Sequence, residues 1–453
     1  MAARRNNKVI SVIGLGVVGL TTAVGFALKG HRVIGIDIDP QKVISINEGR
    51  CPVYEEKLSL AMQKVKVEAT LDFNRVLESD ISFLCGGTPG KADGSLDLHY
   101  VETPVRQLAQ VLKNKPGYHL IVVRSTVVPG TTEKFISPHF PNTERVGLCV
   151  NPEFLREGTA LEDFLSPSRI VIGERDTLSG NTLCQIYRHF DSPTVRTDLM
   201  TAEMIKYASN AYLATRISFI NEIGNLCKLL GINVFEVARA MGYDERIGNK
   251  YLRAGIGFGG FCLPKDLAAL IERSKEVGHQ PGMLLEVLRV NEEQPKRMIT
   301  LLKKHIPELK GRTIGVLGLS FKPDTDDVRK SKAIDVITML LEEGAQVKAY
   351  DPQAMKNFAM LFPHIQYAST DEVLDSDAVL ILTEWDSFNN LDYKGKIVID
   401  GRGIPKAEES RIYEGISWSS QNHAGTDATC PEKANKALPD SAKARLITTE
   451  QHV

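Results

Sequence analysis

A chain of 453 residues with 43% hydrophobic and 25% charged side chains is too long for one ordinary hydrophobic core and has a globular composition. The formal net charge of -1 excludes a general nucleic-acid or membrane-surface binder, because neither would be held by so balanced a surface. No apolar run is long enough to span a bilayer, and the basic N-terminus leads into a strand pattern, so we expect a cytoplasmic enzyme. The seven scattered cysteines form no CxxC pair, which argues against a disulfide framework and against a metal site.

The N-terminal elements form a dinucleotide-binding pattern. Strands are predicted over 8–13 and 32–36, with a helix over 17–29 between them. The turn before the helix reads Gly14-Leu15-Gly16-Val17-Val18-Gly19, and an acid, Asp37, ends the second strand. Glycines here permit a tight turn and close approach of a pyrophosphate, while Asp37 would accept from a ribose 2′-hydroxyl and repel a 2′-phosphate. The pattern predicts NAD rather than NADP; a crossover unit that binds nothing is the disfavoured alternative.

The alternation of strands and helices continues through the first domain, predicted over 1–197. Further strands are predicted over 81–85, 119–123, 146–150, 169–173 and 193–197. One helix is predicted over 96–113, and another follows the strand 169–173 and ends at about residue 190. Polar turns follow three of these strands, at 87–89, 124–126 and 151–158. Because ligands bind at the carboxyl ends of parallel strands, these turns should line the cofactor crevice.

A long helical pattern over 198–230 opens a second, all-helical domain, predicted over 198–306 with further helices over 234–241, 263–277 and 282–305. Lys206 and Asn210 are four residues apart and therefore project from one face of this spine helix. The spacing alone favours a different interpretation, in which Lys206 is an ordinary solvated lysine on the helix surface.

The glycine-rich stretch 255–266 places Cys262 just before Pro264, Lys265 and Asp266, which begin a predicted helix. A thiol near a helix N-terminus with Lys265 beside it should ionise more readily than free cysteine and act as a nucleophile. A buried structural cysteine in a glycine-rich turn fits this stretch equally well.

A second doubly wound sheet is predicted over 307–418. Its strands are expected over 313–318, 346–350, 378–382 and 397–399, with a helix over 332–343. Gly318 is not followed by the rest of a glycine fingerprint, so we expect no second dinucleotide there. The loop 321–329 instead offers Lys322 and Arg329 to an anion. The tail 419–453 has few aromatic residues and is expected to be flexible.

Four motifs, in this order, resemble the UDP-glucose/GDP-mannose dehydrogenase family: 151–158, the Lys206 and Asn210 pair in 205–211, 255–266 and 321–329. The resemblance covers residues 8 to about 402. It implies an α/β fold in which two doubly wound Rossmann-like domains are joined by a central all-helical domain with a long spine helix. It also implies a homodimer formed through that central domain.

The resemblance implies roles for individual residues. The catalytic groups would be the nucleophile Cys262 with Lys206, Asn210, Asp266, Glu153 and Thr126. NAD would contact Gly14, Gly16, Val17, Val18, Gly19, Asp37, Lys42, Thr88, Thr126, Glu157, Lys265 and Arg329. The sugar nucleotide would contact Glu153, Phe154, Leu155, Arg156, Glu157, Lys206, Asn210, Tyr251, Leu252, Arg253, Ala254, Gly255, Gly259, Lys322 and Arg402. Arg246 would reach the sugar nucleotide of the neighbouring subunit.

The implied reaction oxidises UDP-glucose at C6 to UDP-glucuronate with two NAD and one water, through a thiohemiacetal and a thioester on Cys262. The run 246–252 favours UDP-glucose; GDP-mannose and UDP-N-acetylmannosamine dehydrogenases are the alternatives within the family. Two alternatives lie outside the family. One is a two-electron dehydrogenase of the 6-phosphogluconate or hydroxyacyl type, which needs no thiol, and the other is a non-catalytic NAD-binding protein. The acid and base roles of Lys206, Asp266 and Glu153 stay open.

The sequence departs from the family pattern at three places. Phe261 stands where the family usually has serine, directly beside Cys262, and its bulk is expected to reshape the pocket. Val17 replaces the usual tyrosine of the glycine turn, and the chain beyond Arg402 does not follow the family pattern.

Overall fold

The computed structural model describes residues 7–419. Residues 1–6 lie outside the described part of the chain, as does the tail predicted over 419–453 apart from its first residue. Two sheets, separated along the chain by long helices, carry the fold. Within residues 7–419, no helix is both long enough and apolar enough to cross a bilayer. The predicted domain limits at 197, 306 and 418 stay predictions.

The first sheet has eight strands in the order β3-β2-β1-β4-β5-β6-β7-β8. The strands are β1 (Val9–Ile13), β2 (Arg32–Ile36), β3 (Glu68–Thr70), β4 (Ile81–Leu84), β5 (His119–Val123), β6 (Val146–Val150), β7 (Ile170–Glu174) and β8 (Thr194–Thr197). The helices are α1 (Val17–Leu28), α2 (Pro40–Asn47), α3 (Glu56–Met62), α4 (His99–Val111), α5 (Ala160–Leu165) and α6 (Thr177–Tyr187). Strands β4 and β5 are buried along their whole length because helices cover both faces of the sheet.

The central helices are α7 (Leu199–Leu230), α8 (Val234–Gly242), α9 (Cys262–Glu276) and α10 (Gly282–His305). The predicted spine helix is confirmed as α7, which has 32 residues. Asp198 caps its first turn by accepting from the backbone N–H of Thr201, and Gly231 ends it with a φ of 71°. Helices α9 and α10 pack against α7 and bury the middle of the spine.

The second sheet has six parallel strands in the order β11-β10-β9-β12-β13-β14. The strands are β9 (Thr313–Leu317), β10 (Gln346–Tyr350), β11 (Gln366–Tyr367), β12 (Ala378–Ile381), β13 (Ile397–Asp400) and β14 (Ile412–Gly415), and the helices are α11 (Lys332–Glu342), α12 (Met355–Ala359) and α13 (Thr370–Leu374). Asp351 ends β10 as Asp37 ends β2. Asp351 is fully buried, and its carboxylate accepts hydrogen bonds from the backbone N–H groups of Leu319 and Ser320 and from the indole of Trp385.

The predicted fold class is confirmed, and the differences from the predicted elements are short helices (α2, α3, α5, α12 and α13) and strands at the sheet edges. The sequence did not indicate β3, β11 or β14, which are edge strands of two to four residues and therefore too short to show a period. Strand β7 pairs antiparallel with β6, whereas the other neighbours in the first sheet run parallel. Strand direction depends on where the chain returns to the sheet, which no local pattern encodes.

Candidate active site

Two cavities meet at the start of α9. One, of about 880 Å³, lies between the 151–170 segment, α7 and the loops of the second sheet. The other, of about 560 Å³, lies at the carboxyl ends of β1, β2, β4 and β5. Seven residues line both cavities: Arg124, Glu153, Leu155, Arg156, Glu157, Phe261 and Cys262. We call them the sugar cavity and the cofactor cavity, after the ligands that the sequence predicts for each.

The glycine turn before α1 fits a dinucleotide. A Cβ on Gly19 would lie 1.7 Å from the carbonyl oxygen of Gly14, so this glycine is needed for packing within the turn. A Cβ on Gly16 would meet nothing within 4 Å of it, and Gly16 lines the cofactor cavity at the N-terminus of α1. The turn therefore presents open backbone and the positive end of a helix, which suit a pyrophosphate.

Asp37 is fixed by the backbone around it. Its carboxylate accepts from the N–H groups of Leu15 at 2.6 Å and Asp39 at 3.0 Å, and the ammonium of Lys42 lies 4.0 Å away. The side chain lines the cofactor cavity next to Ile38. A carboxylate held here suits two ribose hydroxyls and repels a phosphate on the same sugar.

The cofactor cavity brings together eleven of the twelve predicted NAD contacts, and only Gly19 lies outside its lining. The sugar cavity is lined by all the predicted substrate contacts except Leu252, which is buried in the core, and Arg246. The side chain of Arg246 is 89% exposed and pairs with Asp244. Thr126 lines the cofactor cavity but not the sugar cavity.

Cys262 is the first residue of α9 and is accessible from the cavities. Loss of solvent around the sulfur, together with the nearby Glu153 carboxylate, raises the pKa of the thiol to about 12, although Lys206 acts in the opposite direction. The predicted easier ionisation is therefore wrong for the ligand-free chain. Loss of solvent around the sulfur is the main cause, and the Lys265 ammonium is engaged elsewhere, by Asp266 at 2.6 Å and Thr88 at 3.4 Å.

Lys206 and Glu153 form a buried ion pair beside Cys262. The Lys206 Nζ lies 2.9 Å from Glu153 Oε1, and both side chains are about 95% buried. Burial would raise the pKa of Glu153, but Lys206 and the backbone N–H of Leu155 hold it below its usual range. Burial would likewise lower the pKa of Lys206, but Glu153 and Cys262 raise it. The pair therefore consists of a cationic donor and an ionised carboxylate at one end of the sugar cavity.

Asn210 and Asp266 form a second buried polar pair, linking α7 to α9. The Asn210 side-chain amide donates to Asp266 Oδ2 at 2.6 Å, and Lys265 donates to Asp266 Oδ1. Asn210 lies one helical turn beyond Lys206 on α7, so the predicted shared face is confirmed. Because both carboxylate oxygens of Asp266 are engaged, this residue orients its two neighbours.

Glu157 sits where the two cavities join. Burial and the carboxylate of Asp327 raise its pKa to about 7, against the attraction of Arg329 and Lys322. Arg329 reaches Glu157 Oε1 at 3.2 Å, and Lys322 donates to the Glu157 carbonyl. A carboxyl group that titrates near neutral pH in a cavity can carry a proton.

The turn that carries Thr126 is anchored to α7. The backbone N–H groups of Gly130 and Thr132 donate to Glu203 at 2.6 and 2.8 Å, one turn before Lys206. Burial raises the pKa of Glu203 to about 7. The Thr126 carbonyl also accepts from the hydroxyl of Thr88 at 2.9 Å.

Arg169 lines the sugar cavity and was missed by the sequence analysis. Its guanidinium lies 3.8 Å from the ring centroid of Phe154 and donates to the hydroxyl of Ser209 at 3.0 Å. Lys206 Nζ lies 5.5 Å from the centroid of the same ring. Arg169 precedes β7, where a polar residue indicates only the start of a strand, so no local signal could have identified it.

Comparison with known proteins agrees with this geometry. Sequence models of the UDP-glucose/GDP-mannose dehydrogenase family match residues 8–191 (NAD binding domain), 200–293 (central domain) and 315–407 (UDP binding domain). The chain belongs to the UDP-glucose/GDP-mannose dehydrogenase family. It is therefore an NAD-dependent oxidoreductase of nucleotide sugars, and the predictions of family, enzyme class and NAD are confirmed.

Relatives within the family carry more than one name. A UDP-glucose 6-dehydrogenase from Haloferax volcanii is 43% identical, covering 90% of this chain and 99% of that protein. A GDP-mannose 6-dehydrogenase from Pseudomonas aeruginosa is 37% identical, covering 90% of this chain and 100% of that protein. The solved UDP-glucose dehydrogenase from Pyrobaculum islandicum is 42% identical with a TM-score of 0.90, covering 92% of this chain and 100% of that one.

Proposed function

We propose that this chain oxidises UDP-glucose at C6 to UDP-glucuronate, consuming two NAD and one water per sugar. The observation that carries the proposal is the position of Cys262, which lines both the cofactor cavity and the sugar cavity. A thiol shared by both cavities suits an oxidation that continues past the aldehyde. The relatives named as UDP-glucose 6-dehydrogenases support the choice of sugar.

The cofactor cavity would hold NAD against the glycine turn, Asp37 and Thr88, and NAD when bound supplies the hydride acceptor for both oxidations. The chain supplies the proton chemistry. Lys206 is a protonated donor, so it stabilises negative charge on the C6 oxygen together with the amide of Asn210. Glu153 is the ionised carboxylate beside that oxygen site and takes the hydroxyl proton.

Loss of the hydroxyl proton and of the first hydride from C6 gives an aldehyde, which then reacts with Cys262. The thiol gives its proton to a neighbouring carboxylate as sulfur bonds to C6, and the resulting oxyanion lies against Lys206. Loss of hydride from C6 leaves a thioester, and attack by water releases the carboxylate and returns the free thiol. With the pKa of the thiol at about 12, the attack needs a base, and Glu153, Glu157 and Asp266 are the carboxylates that act on this sulfur.

The sugar cavity has the charge that a nucleoside diphosphate requires. Besides Arg124 and Lys206, six basic side chains line it: Arg156, Arg169, Lys250, Arg253, Lys322 and Arg402. The acidic residues of the cavity are largely paired, Glu153 with Lys206 and Glu384 with Arg402 at 3.2 Å. A dianionic diphosphate would compensate the remaining positive charge.

The chain also functions as a homodimer through α7. Tyr212, Phe219 and Leu226 are spaced seven residues apart on one face of this helix, and each is about half exposed. Large apolar side chains exposed along one helix face mark a candidate surface for a protein partner. Pairing of two copies along it would also give the exposed Arg246 a neighbouring subunit to contact.

A panel of nucleotide sugars tests the proposal. UDP-glucose, GDP-mannose and UDP-N-acetylmannosamine are each supplied with NAD, and NADH is counted per sugar consumed. Two NADH per UDP-glucose is the expected result. Turnover of GDP-mannose alone would support the alternative substrate, which the Pseudomonas relative makes the next candidate. One NADH per sugar would contradict the four-electron reaction.

Substitution of the thiol tests the mechanism separately. Cys262→Ser should abolish steady-state production of two NADH per sugar while NAD binding persists, because serine is a far weaker nucleophile toward the aldehyde. Cys184→Ser is the matched control, since Cys184 is half-buried and lines neither cavity. Unchanged turnover of Cys262→Ser would rule out the covalent route.

A further inference from the structure

The aromatic ring of Phe261 lines both cavities, directly beside Cys262 in the chain. It precedes the first residue of α9 and is partly buried. Two cations of the cofactor cavity, Arg329 and Lys265, lie over this ring. None of the catalytic steps described above uses the ring.

Arg329 binds two carboxylates and also lies over the Phe261 ring. Its nitrogens bind Asp327 at 2.6 Å and Glu157 at 3.2 Å, while its Cζ lies 4.4 Å from the Phe261 ring centroid. A planar guanidinium can donate from its edges and stack with its face at the same time. The two carboxylates and the ring therefore restrain Arg329 together.

Lys265 is a second cation held between polar partners and the Phe261 ring. Its ammonium lies 5.3 Å from the Phe261 centroid while it donates to Asp266 and Thr88. This distance is within the range in which an ammonium is attracted by the electron-rich face of an aromatic ring.

The backbone places the ring firmly. Gly260 has a φ of 79°, and its N–H donates to the carbonyl of Arg329 at 3.0 Å, so the two segments that carry the ring and the guanidinium are joined directly. A Cβ on Gly260 would lie 2.7 Å from the ring of Phe321, which leaves little freedom for this turn to move.

We propose that Phe261 is a positioning residue for NAD: its ring holds Arg329 and Lys265 in the cofactor cavity in the orientation that receives the dinucleotide. Serine at this position offers no aromatic face and could not restrain either cation. The ring thus contributes to cofactor affinity through two charged neighbours, without bonding to the reacting atoms. If the Phe261 side chain only excluded water, any apolar side chain of similar bulk would replace it. Positioning of the two cations requires an aromatic face, so the two roles can be separated by experiment.

Isothermal titration of NAD into the sugar-free protein tests the proposal independently of the sugar that the enzyme oxidises. Phe261→Leu keeps apolar bulk and removes the aromatic face, so it should weaken NAD binding about four- to 25-fold, since each of the two cations contributes a factor of about two to five. Phe261→Ser should weaken it at least as much. Phe261→Tyr keeps the face and should stay within about twofold of the wild type.

A double-mutant cycle separates positioning from bulk. If the ring acts through Arg329, the loss of affinity from Arg329→Gln should be smaller in the Phe261→Leu background than in the wild type. Lys29→Gln is the control, because it removes the cation of another aromatic pair, 4.6 Å from the Phe190 ring and outside both cavities, and should leave NAD affinity unchanged. Wild-type affinity in Phe261→Leu, or strict additivity with Arg329→Gln, would overturn the proposal.

Discussion

Because the Cys262 thiol is protonated in the ligand-free enzyme, we expect it to react unusually slowly with disulfides. With a pKa of about 12, the thiol is ionised to about one part in 10⁴ at pH 8, against about a quarter for a free cysteine. The more basic thiolate is intrinsically about 40-fold more nucleophilic, because reactivity rises with a Brønsted slope of about 0.4–0.5. The two effects combine to a rate about 60-fold below that of a small thiol.

Removing the carboxylate that acts most strongly on the sulfur should reverse part of this effect. Glu153→Gln deletes the charge that, after burial, contributes most to the raised pKa of Cys262, and leaves the positive charge of Lys206 beside the sulfur. The pKa of the thiol should fall, and exchange at pH 8 should become faster than in the wild type. Glu384→Gln is the control, because it removes a carboxylate of the same cavity that does not act on the sulfur.

The assay follows the reaction with an aromatic disulfide by absorbance from pH 6 to 10, with the rate of Cys262→Ser subtracted to remove the other cysteines. The expected wild-type rate rises about tenfold per pH unit without reaching a plateau. A plateau above pH 9, a rate at pH 8 equal to that of a small thiol, or slower exchange in Glu153→Gln would refute the electrostatic argument.

Three further predictions concern the cofactor site and the helix stripe. Gly16→Ala should keep the melting temperature of the wild type and weaken NAD binding in a titration. Gly19→Ala should lower the free energy of unfolding by about 1–3 kcal/mol, because its Cβ meets the Gly14 carbonyl. Equal melting temperatures for the two variants would contradict this. The wild type should use NAD with much higher catalytic efficiency than NADP, and Asp37→Asn should narrow the gap; equal wild-type efficiencies would count against the role of Asp37. Phe219→Asp should shift the protein to monomer in gel filtration with light scattering, and an unchanged mass would exclude the α7 interface.

The sequence by itself determined the features that are encoded within short, consecutive stretches of residues. The glycine turn with Asp37, the strands β1, β2, β5 and β6, and the common face of Lys206 and Asn210 all follow from periods of two or 3.6 residues and from glycine spacing. The motif order was sufficient to indicate the family, because each motif lies within a few consecutive residues. Phe261 was noticed in the sequence as an exception, but its partners were not.

Only the tertiary structure decided the chemistry between these segments. The pKa of Cys262 depends on Glu153, which is 109 residues away in the chain, and the local cues of a helix N-terminus and Lys265 pointed in the wrong direction. Arg169 and the contact between Phe261 and Arg329 are likewise long-range in sequence. Local patterns fix backbone conformation, whereas desolvation and charge interactions depend on distances in space that exist only once the two sheets and α7 have packed.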